Sequence, residues 1–227
     1  QLSASWQNFG PTLEAHDIRA ELKDGGEFSV KRVTLALDVW QSLLHMRWQF
    51  RDLTFWQLRF RTNTPITSGG GNDSLEASHI SDLFLRQFDH FDLRDSEVSF
   101  LTPSGQRAEL AIPQLTWLND PRRHRAEGLV SLSSLTGQHG VMQVRMDLRD
   151  DEGLLSNGRV WLQADDIDLK PWLGKWMQDN IALETAQFSL EGWMTIDKGD
   201  VTGGDVWLKQ GGASWLGEKQ THTLSVD

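Results

Sequence analysis

The feature that most constrains this chain is a two-residue alternation of apolar and polar side chains that recurs along its length. In Val141–Arg149, Met142, Val144, Met146 and Leu148 share one parity, and Gln143, Arg145, Asp147 and Arg149 share the other. Residues 186–197 repeat the pattern, with Ala186, Phe188, Leu190, Met194 and Ile196 opposite Gln187, Ser189, Glu191 and Thr195. Gly192 falls on the apolar parity, where it marks a bulge or a close approach. Trp56, Leu58 and Phe60 alternate with Gln57, Arg59 and Arg61; Ala108, Leu110 and Ile112 with Arg107 and Glu109; Val160, Leu162 and Ala164 with Trp161, Gln163 and Asp165. Period two means a strand with one oily face. Turn signals separate these runs: Asp24-Gly25-Gly26, Thr102-Pro103-Ser104-Gly105, Asp150-Asp151-Glu152-Gly153, Lys198-Gly199-Asp200, Gly203-Gly204 and Gly211-Gly212. The spacing predicts about a dozen strands. Parity slips between Ala15 and Ile18 and between Val30 and Val33 predict bulges that bend the sheet.

Helix signals are few. Residues 38–46 fit one short helix, and residues 74–88 carry Leu75, Ile80, Leu83, Phe84 and Phe88 at near-helical spacing. Residues 168–180 fit a third, with Asp168 as N-cap and Pro171 in the first turn. The Gly-rich stretch 67–73 reads as a flexible loop.

Each oily strand face must be buried. Three short helices cannot cover a dozen strands. The sheet must therefore fold onto a second sheet, close into a filled barrel, or curl into an open trough lined by something that is not protein. Alkyl chains qualify, because apolar burial is worth ~25 cal/mol per Å² whatever covers the surface. Met and flat Trp faces on the inner side would suit a mobile ligand. On the residues alone a protein-filled core is the ordinary case.

Chemistry is conspicuous mainly by what is missing. Cysteine is absent, which excludes disulfides, zinc ribbons and thiol nucleophiles. The net charge of −10 argues against nucleic acid as a partner and against general adhesion to anionic membrane. Eleven Trp and ten Phe with no Tyr suit an apolar surface better than a polar catalytic pocket. There is no Walker loop, dinucleotide fingerprint or nucleophile elbow, and no two of the seven histidines stand at the i, i+4 spacing of a helical zinc site. His90-Phe91-Asp92 could set two ligands on one strand face, but a solvated surface is the ordinary reading. Asp150-Asp151-Glu152 and Asp165-Asp166 lack calcium-loop spacing and suit turns. Asn72-Asp73-Ser74 matches a glycosylation sequon formally. Arg122, Arg123 and Arg125 suit a solvated turn or an anionic headgroup. Arg47, Arg51, Arg59 and Arg61, interleaved with Trp48, Phe55 and Trp56, suit an outward strand face or a membrane interface. The expectation is no enzyme, no cofactor and no metal.

Two stretches carry a resemblance. The opening Leu2-Ser3-Ala4-Ser5-Trp6-Gln7-Asn8-Phe9-Gly10-Pro11, followed by Leu13-Glu14-Ala15-His16-Asp17-Ile18, resembles the first periplasmic strands of AsmA-like, bridge-type lipid transport proteins. The stretch from Gly158 through Asp165-Asp166-Ile167-Asp168-Leu169-Lys170-Pro171-Trp172 is similar to their strand-then-helix joint. The resemblance implies a mainly β fold: a curved, highly twisted antiparallel sheet forming an open hydrophobic groove, with about three short helices. It implies an N-terminal periplasmic segment whose inner-membrane anchor has been removed, carrying phospholipid between inner and outer membranes, with no catalytic residues. The absent initiator Met and the strand-like end agree with a piece of a longer chain. Residues 1–227 are expected to form one continuous segment, with internal units at 1–66, 67–135 and 136–227. The expected groove lining is Met142, Val144, Met146, Leu148, Phe188, Leu190, Met194 and Ile196, with Trp56, Leu58, Phe60, Val160 and Leu162 added. Expected partners are phospholipid acyl chains, the inner membrane through the anchor, and an envelope protein. The alternative is a dry-cored β-sandwich or barrel acting as an envelope interaction module.

Overall fold

The computed structural model describes residues 2–7, 10–21, 25–46, 49–65, 83–101, 107–132, 140–151, 155–168, 182–198, 200–216 and 221–226. Among them, twelve strands form one sheet in chain order, and its outermost strands do not meet. The strands are β1 (Leu2–Gln7), β2 (Gly10–Glu21), β3 (Glu27–Leu37), β4 (Phe50–Pro65), β5 (His90–Leu101) and β6 (Arg107–Asp120). They continue as β7 (Arg123–Leu132), β8 (Val141–Arg149), β9 (Asn157–Asp168), β10 (Ala182–Asp197), β11 (Asp200–Leu216) and β12 (Thr221–Val226). The sheet is an open groove, neither a sandwich nor a closed barrel. It is mixed rather than antiparallel throughout. β4 and β5 run parallel, with Phe55 beside Leu93, so the chain must cross from one end of the sheet to the other between them.

Alternation puts one row of side chains on a common face across ten strands. Following the register, Ala15, Val33, Phe55, Leu93, Leu115, Gly128, Val144, Leu162, Gly192 and Val206 stand side by side. The core lies on this face: Val30, Leu53, Phe55, Phe91, Leu93, Ile112 and Leu115 are buried. The opposite face carries Arg59, Arg145 and Glu127, all exposed.

The two parity slips belong to a longer seam. Asp17, Lys31, Gln57, Asp95 and Pro113 interrupt the pairing at one level of the sheet, and the apolar parity changes there in β2 through β6. Asp17, Gln57 and Asp95 adopt left-handed backbone there, with φ of 54°, 52° and 47°. Pro113 has no N–H to give the ladder, and the β6–β7 register shifts beside it. At this seam the Leu58 N–H turns to the buried Ser96 hydroxyl at 3.2 Å, and that hydroxyl donates to the Arg94 carbonyl at 3.0 Å. Asp166 repeats the device in β9, with φ 53° and its N–H on the Ser189 hydroxyl at 3.1 Å. Aligned irregularities of this kind bend the strands and raise the local twist.

The Gly pairs of the C-terminal part correct a turn reading. Gly203, Gly204, Gly211 and Gly212 all lie inside the 17-residue strand β11. At Gly211, φ is 140° and a Cβ would stand 2.1 Å from the Gln187 carbonyl oxygen. Only glycine lets β11 approach β10 this closely.

Of the three expected helices, one is present as read. Helix α1 (Val39–His45) is capped by Asp38, whose carboxylate accepts the Gln41 N–H at 3.0 Å, and ends at Met46 in left-handed conformation. The second survives as one π-helical turn, Leu83–Gln87, closed by the Phe88 N–H on the Leu83 carbonyl at 3.2 Å. Residues 74–82 lie outside the described residues. So do residues 169–180 of the third; Asp168 closes strand β9.

Candidate functional site: an apolar lining

The candidate site is the apolar face itself. On β8, Met142, Val144, Met146 and Leu148 face the same side as Ala164, Leu162, Val160 and Gly158 of β9. On β10, Leu190, Met194 and Ile196 continue these rows. Phe188 stands beside Ile167. Burial divides the set. Leu148, Phe188 and Leu190 are only 5–6% exposed, so they form the floor. Met142, Val144, Met146, Val160, Leu162, Met194 and Ile196 are half-buried and keep surface to offer. Met142 touches both apolar clusters of the sheet, so the lining is continuous across β7 to β10. Val206 and Leu208 of β11 extend it, 60% and 42% exposed. They were hidden from sequence reading because the Gly pairs on either side looked like turns.

In β4 the expectation needs a correction. Leu58 is buried and Phe60 half-buried on the apolar face, but Trp56 stands on the other face. Gln57 sits between them in left-handed backbone, so the parity changes. Trp56 pairs in register with Arg32, whose guanidinium lies 4.6 Å from the ring centroid. Trp161 and Trp193 share this placement, under Arg145 at 5.2 Å and Arg159 at 5.6 Å. A guanidinium over an indole shields its apolar surface while keeping charge in water. Trp56, expected inside, is thus a feature of the polar face, together with Trp193 and with Trp161, whose parity predicts that placement.

That polar face is also laced with ion pairs. Arg123 holds Asp147 through two bonds of 2.8 and 2.6 Å, Arg125 reaches Asp120 at 3.3 Å, and Arg145 reaches Glu127 at 3.0 Å. The basic turn after Pro121 is therefore largely neutralised by its own neighbours. His90 pairs with Asp89 at 3.1 Å rather than forming a ligand set with Asp92. Among the described residues no cluster of His, Asp or Glu is placed to hold a metal ion.

The hydrogen bond that the His90 ring donates to Asp89 raises the His90 pKa above its ordinary value, and the charges of Asp89, Asp92 and Asp52 add to this against an opposing desolvation. A raised folded-state value stabilises the protein below the unfolded value near 6.5 and loses that stabilisation as pH rises through the folded value. His90→Gln should therefore shrink the loss of melting temperature between pH 6 and pH 8. Equal losses in both proteins would remove His90 from the account.

Over β3 to β6 the lining is covered by the chain's own π-turn. Phe84 packs on Phe28, Phe55 and Phe91 at 6.5, 4.9 and 5.0 Å between ring centroids; Phe88 packs on Phe50 and Phe55, both at 6.0 Å. Asn119 fastens this plug. Its amide donates to the carbonyls of Phe84 at 2.7 Å and Phe88 at 2.8 Å. Its side-chain oxygen meets the Trp117 indole N–H at 2.7 Å and the His124 ring at 2.6 Å. His124, 1% exposed, reaches on to Asp150 at 2.9 Å. Sequence alternation gave no sign of this network, because its members come from β6, β7 and two connections.

A family model described as "YhdP protein" matches residues 1–227, and the open, one-sided sheet fits the resemblance read from the two motifs. The chain belongs to the YhdP family. It is 99% identical over 227 residues to the "Intermembrane phospholipid transporter YhdP" of Escherichia coli (strain K12). The match covers all of this YhdP-family chain and 18% of that relative's length. No solved structure matches it. Among the described residues no helix is long and apolar enough to cross a membrane.

Proposed function

We propose that this segment conducts phospholipid within the bacterial envelope by letting acyl chains lie along its apolar face. The carrying observation is the unbroken inward row from Ala15 to Val206, on a sheet whose two outer strands stay unpaired with each other. The open part of that face, β7 to β11, spans roughly 20 Å at about 4.8 Å between strands. The name of the E. coli relative, an intermembrane phospholipid transporter, supports lipid as the occupant.

The proposed action is passive and non-enzymatic. Half-buried Met142, Met146 and Met194 adapt to a sliding alkyl chain, while headgroups project to water at the seam. No deep pocket is needed; a tightly held lipid would not move. The whole chain works as one groove segment in the periplasm, held to the inner membrane by an anchor elsewhere in the full-length protein. The dry-core alternative finds support only over β3 to β6, where the π-turn fills the face. The lipid contact proposed here therefore runs along β7 to β11.

Native mass spectrometry of the purified segment tests this. Phospholipid-sized mass should travel with the protein and be stripped by delipidation. A lipid-free spectrum from material extracted without detergent would sink the proposal.

A further inference from the structure

Helix α1 is amphipathic in the wrong direction. Trp40, Leu43 and Leu44 stand at i, i+3 and i+4, the spacing of a buried stripe, yet they are 70%, 64% and 76% exposed; Met46, at the cap, is 89% exposed. The side turned to the sheet carries Val39 and Ser42, both half-buried. The helix is not a frayed excursion. The Asp38 carboxylate caps it, the Asp38 N–H meets the Gln49 carbonyl at 2.9 Å, and Gln49 donates to the Ser42 hydroxyl at 2.9 Å. A well-fastened seven-residue helix thus holds its oily stripe in water.

We propose that α1 is a membrane-inserting element: it enters the interfacial layer of a phospholipid bilayer and presses the lip of the groove against it. Three observations favour a bilayer over a protein partner. Residues 39–46 carry no Asp, Glu, Lys or Arg, so nothing fixes the register a protein partner needs, whereas a bilayer needs none. Stable protein interfaces cover about 800 Å² per side with a polar rim, more than two turns of helix supply. Trp beside Leu and Met is the composition of an interfacial anchor. Position points the same way. Leu37 and Phe50, the residues bracketing the α1 loop, pair across β3 and β4, and the Phe50 ring packs on Phe88 over the apolar face. A bilayer that holds α1 would thus lie beside the aromatic plug that caps the apolar face over β3 to β6. With a net charge of −10, adhesion by overall charge is not available, so contact has to come from local insertion.

The inference builds on the lipid-conducting reading, and its test separates the two. A photo-crosslinking residue replaces Leu44 in the full-length protein, reconstituted in vesicles of phosphatidylethanolamine and phosphatidylglycerol. Matched probes replace Met146 in the lining and Gln143 on the polar face. Leu44 should give phospholipid adducts about tenfold above Gln143, unchanged by high salt because insertion is apolar. They should persist when Met146→Asp empties the groove. A single protein adduct at Leu44 would make α1 a protein-docking site and overturn the proposal. So would a yield equal to that of Gln143, or adducts that vanish with Met146→Asp. Failure of the Met146 probe alone would instead strike at the conducting role.

Discussion

Met146→Asp should lower the lipid affinity of this segment by roughly 30- to 150-fold while leaving it folded. Met146 is half-buried, between Ala126 of β7 and Val160 of β9. A carboxylate facing alkyl chains costs on the order of 2–3 kcal/mol in a lipid-exposed position. In the lipid-free protein the same group can turn to water, so the folding penalty stays near about 1 kcal/mol. The ratio of these costs makes position 146 a probe of occupancy. Leu190→Asp looks equivalent in the sequence but is not. Leu190 is 6% exposed and packs with Ala164 and Ile167, so its carboxylate would be buried and the sheet would lose stability directly. Gln143→Asp, on the polar face, serves as the control and should leave lipid retention unchanged. Native mass spectrometry gives the lipid-bound fraction and urea unfolding the stability. Unchanged retention in folded Met146→Asp would remove β8 from the lipid path.

Much of this architecture can be read from alternation, because a period of two leaves a strand no choice about which side chains share a face. The β8 residues Met142 to Leu148 and the β10 residues Leu190 to Ile196 stand as their parity predicts. Parity fails at the seam, where β2, β4 and β5 insert a left-handed residue and β6 carries Pro113. The slip in β4 is visible in the sequence once Leu53 and Phe55 are set beside Leu58 and Phe60; starting the run at Trp56 conceals it. The same slip is readable in β2 and β3, where apolar residues flank it on both sides. Side chain–side chain cover across the polar face is a different matter. Arg32 meets Trp56 through register, a property of two strands that neither strand displays alone. The parallel pairing of β4 with β5 likewise depends on where a long connection returns, which turn residues do not encode. The outward stripe of α1 has correct helical spacing, and spacing cannot say which way a stripe faces.

Asn119→Ala should unfasten the aromatic plug, with a large loss of stability for a single polar side chain. The substitution keeps the backbone bond from the Asn119 N–H to the Asp89 carbonyl at 2.7 Å. It removes four side-chain contacts at once: two carbonyls, of Phe84 and Phe88, lose their donor, while the Trp117 indole and the His124 ring lose their acceptor. Each unpaired buried group costs about 1–3 kcal/mol, and partial hydration of the opened site brings the expected total to roughly 3–5 kcal/mol. The loss should be local first, because the β6 ladder to β5 and β7 does not use the Asn119 side chain. Hydrogen exchange at residues 83–88 should accelerate before the strands do. Freeing Phe84 and Phe88 would uncover Phe28, Phe55 and Phe91, extending the oily path toward β3. Lipid retention should then rise even as stability falls, an opposition that a purely structural defect would not produce. If Asn119→Ala left both the urea midpoint and exchange at residues 83–88 at wild-type values, the plug would be held by its rings alone.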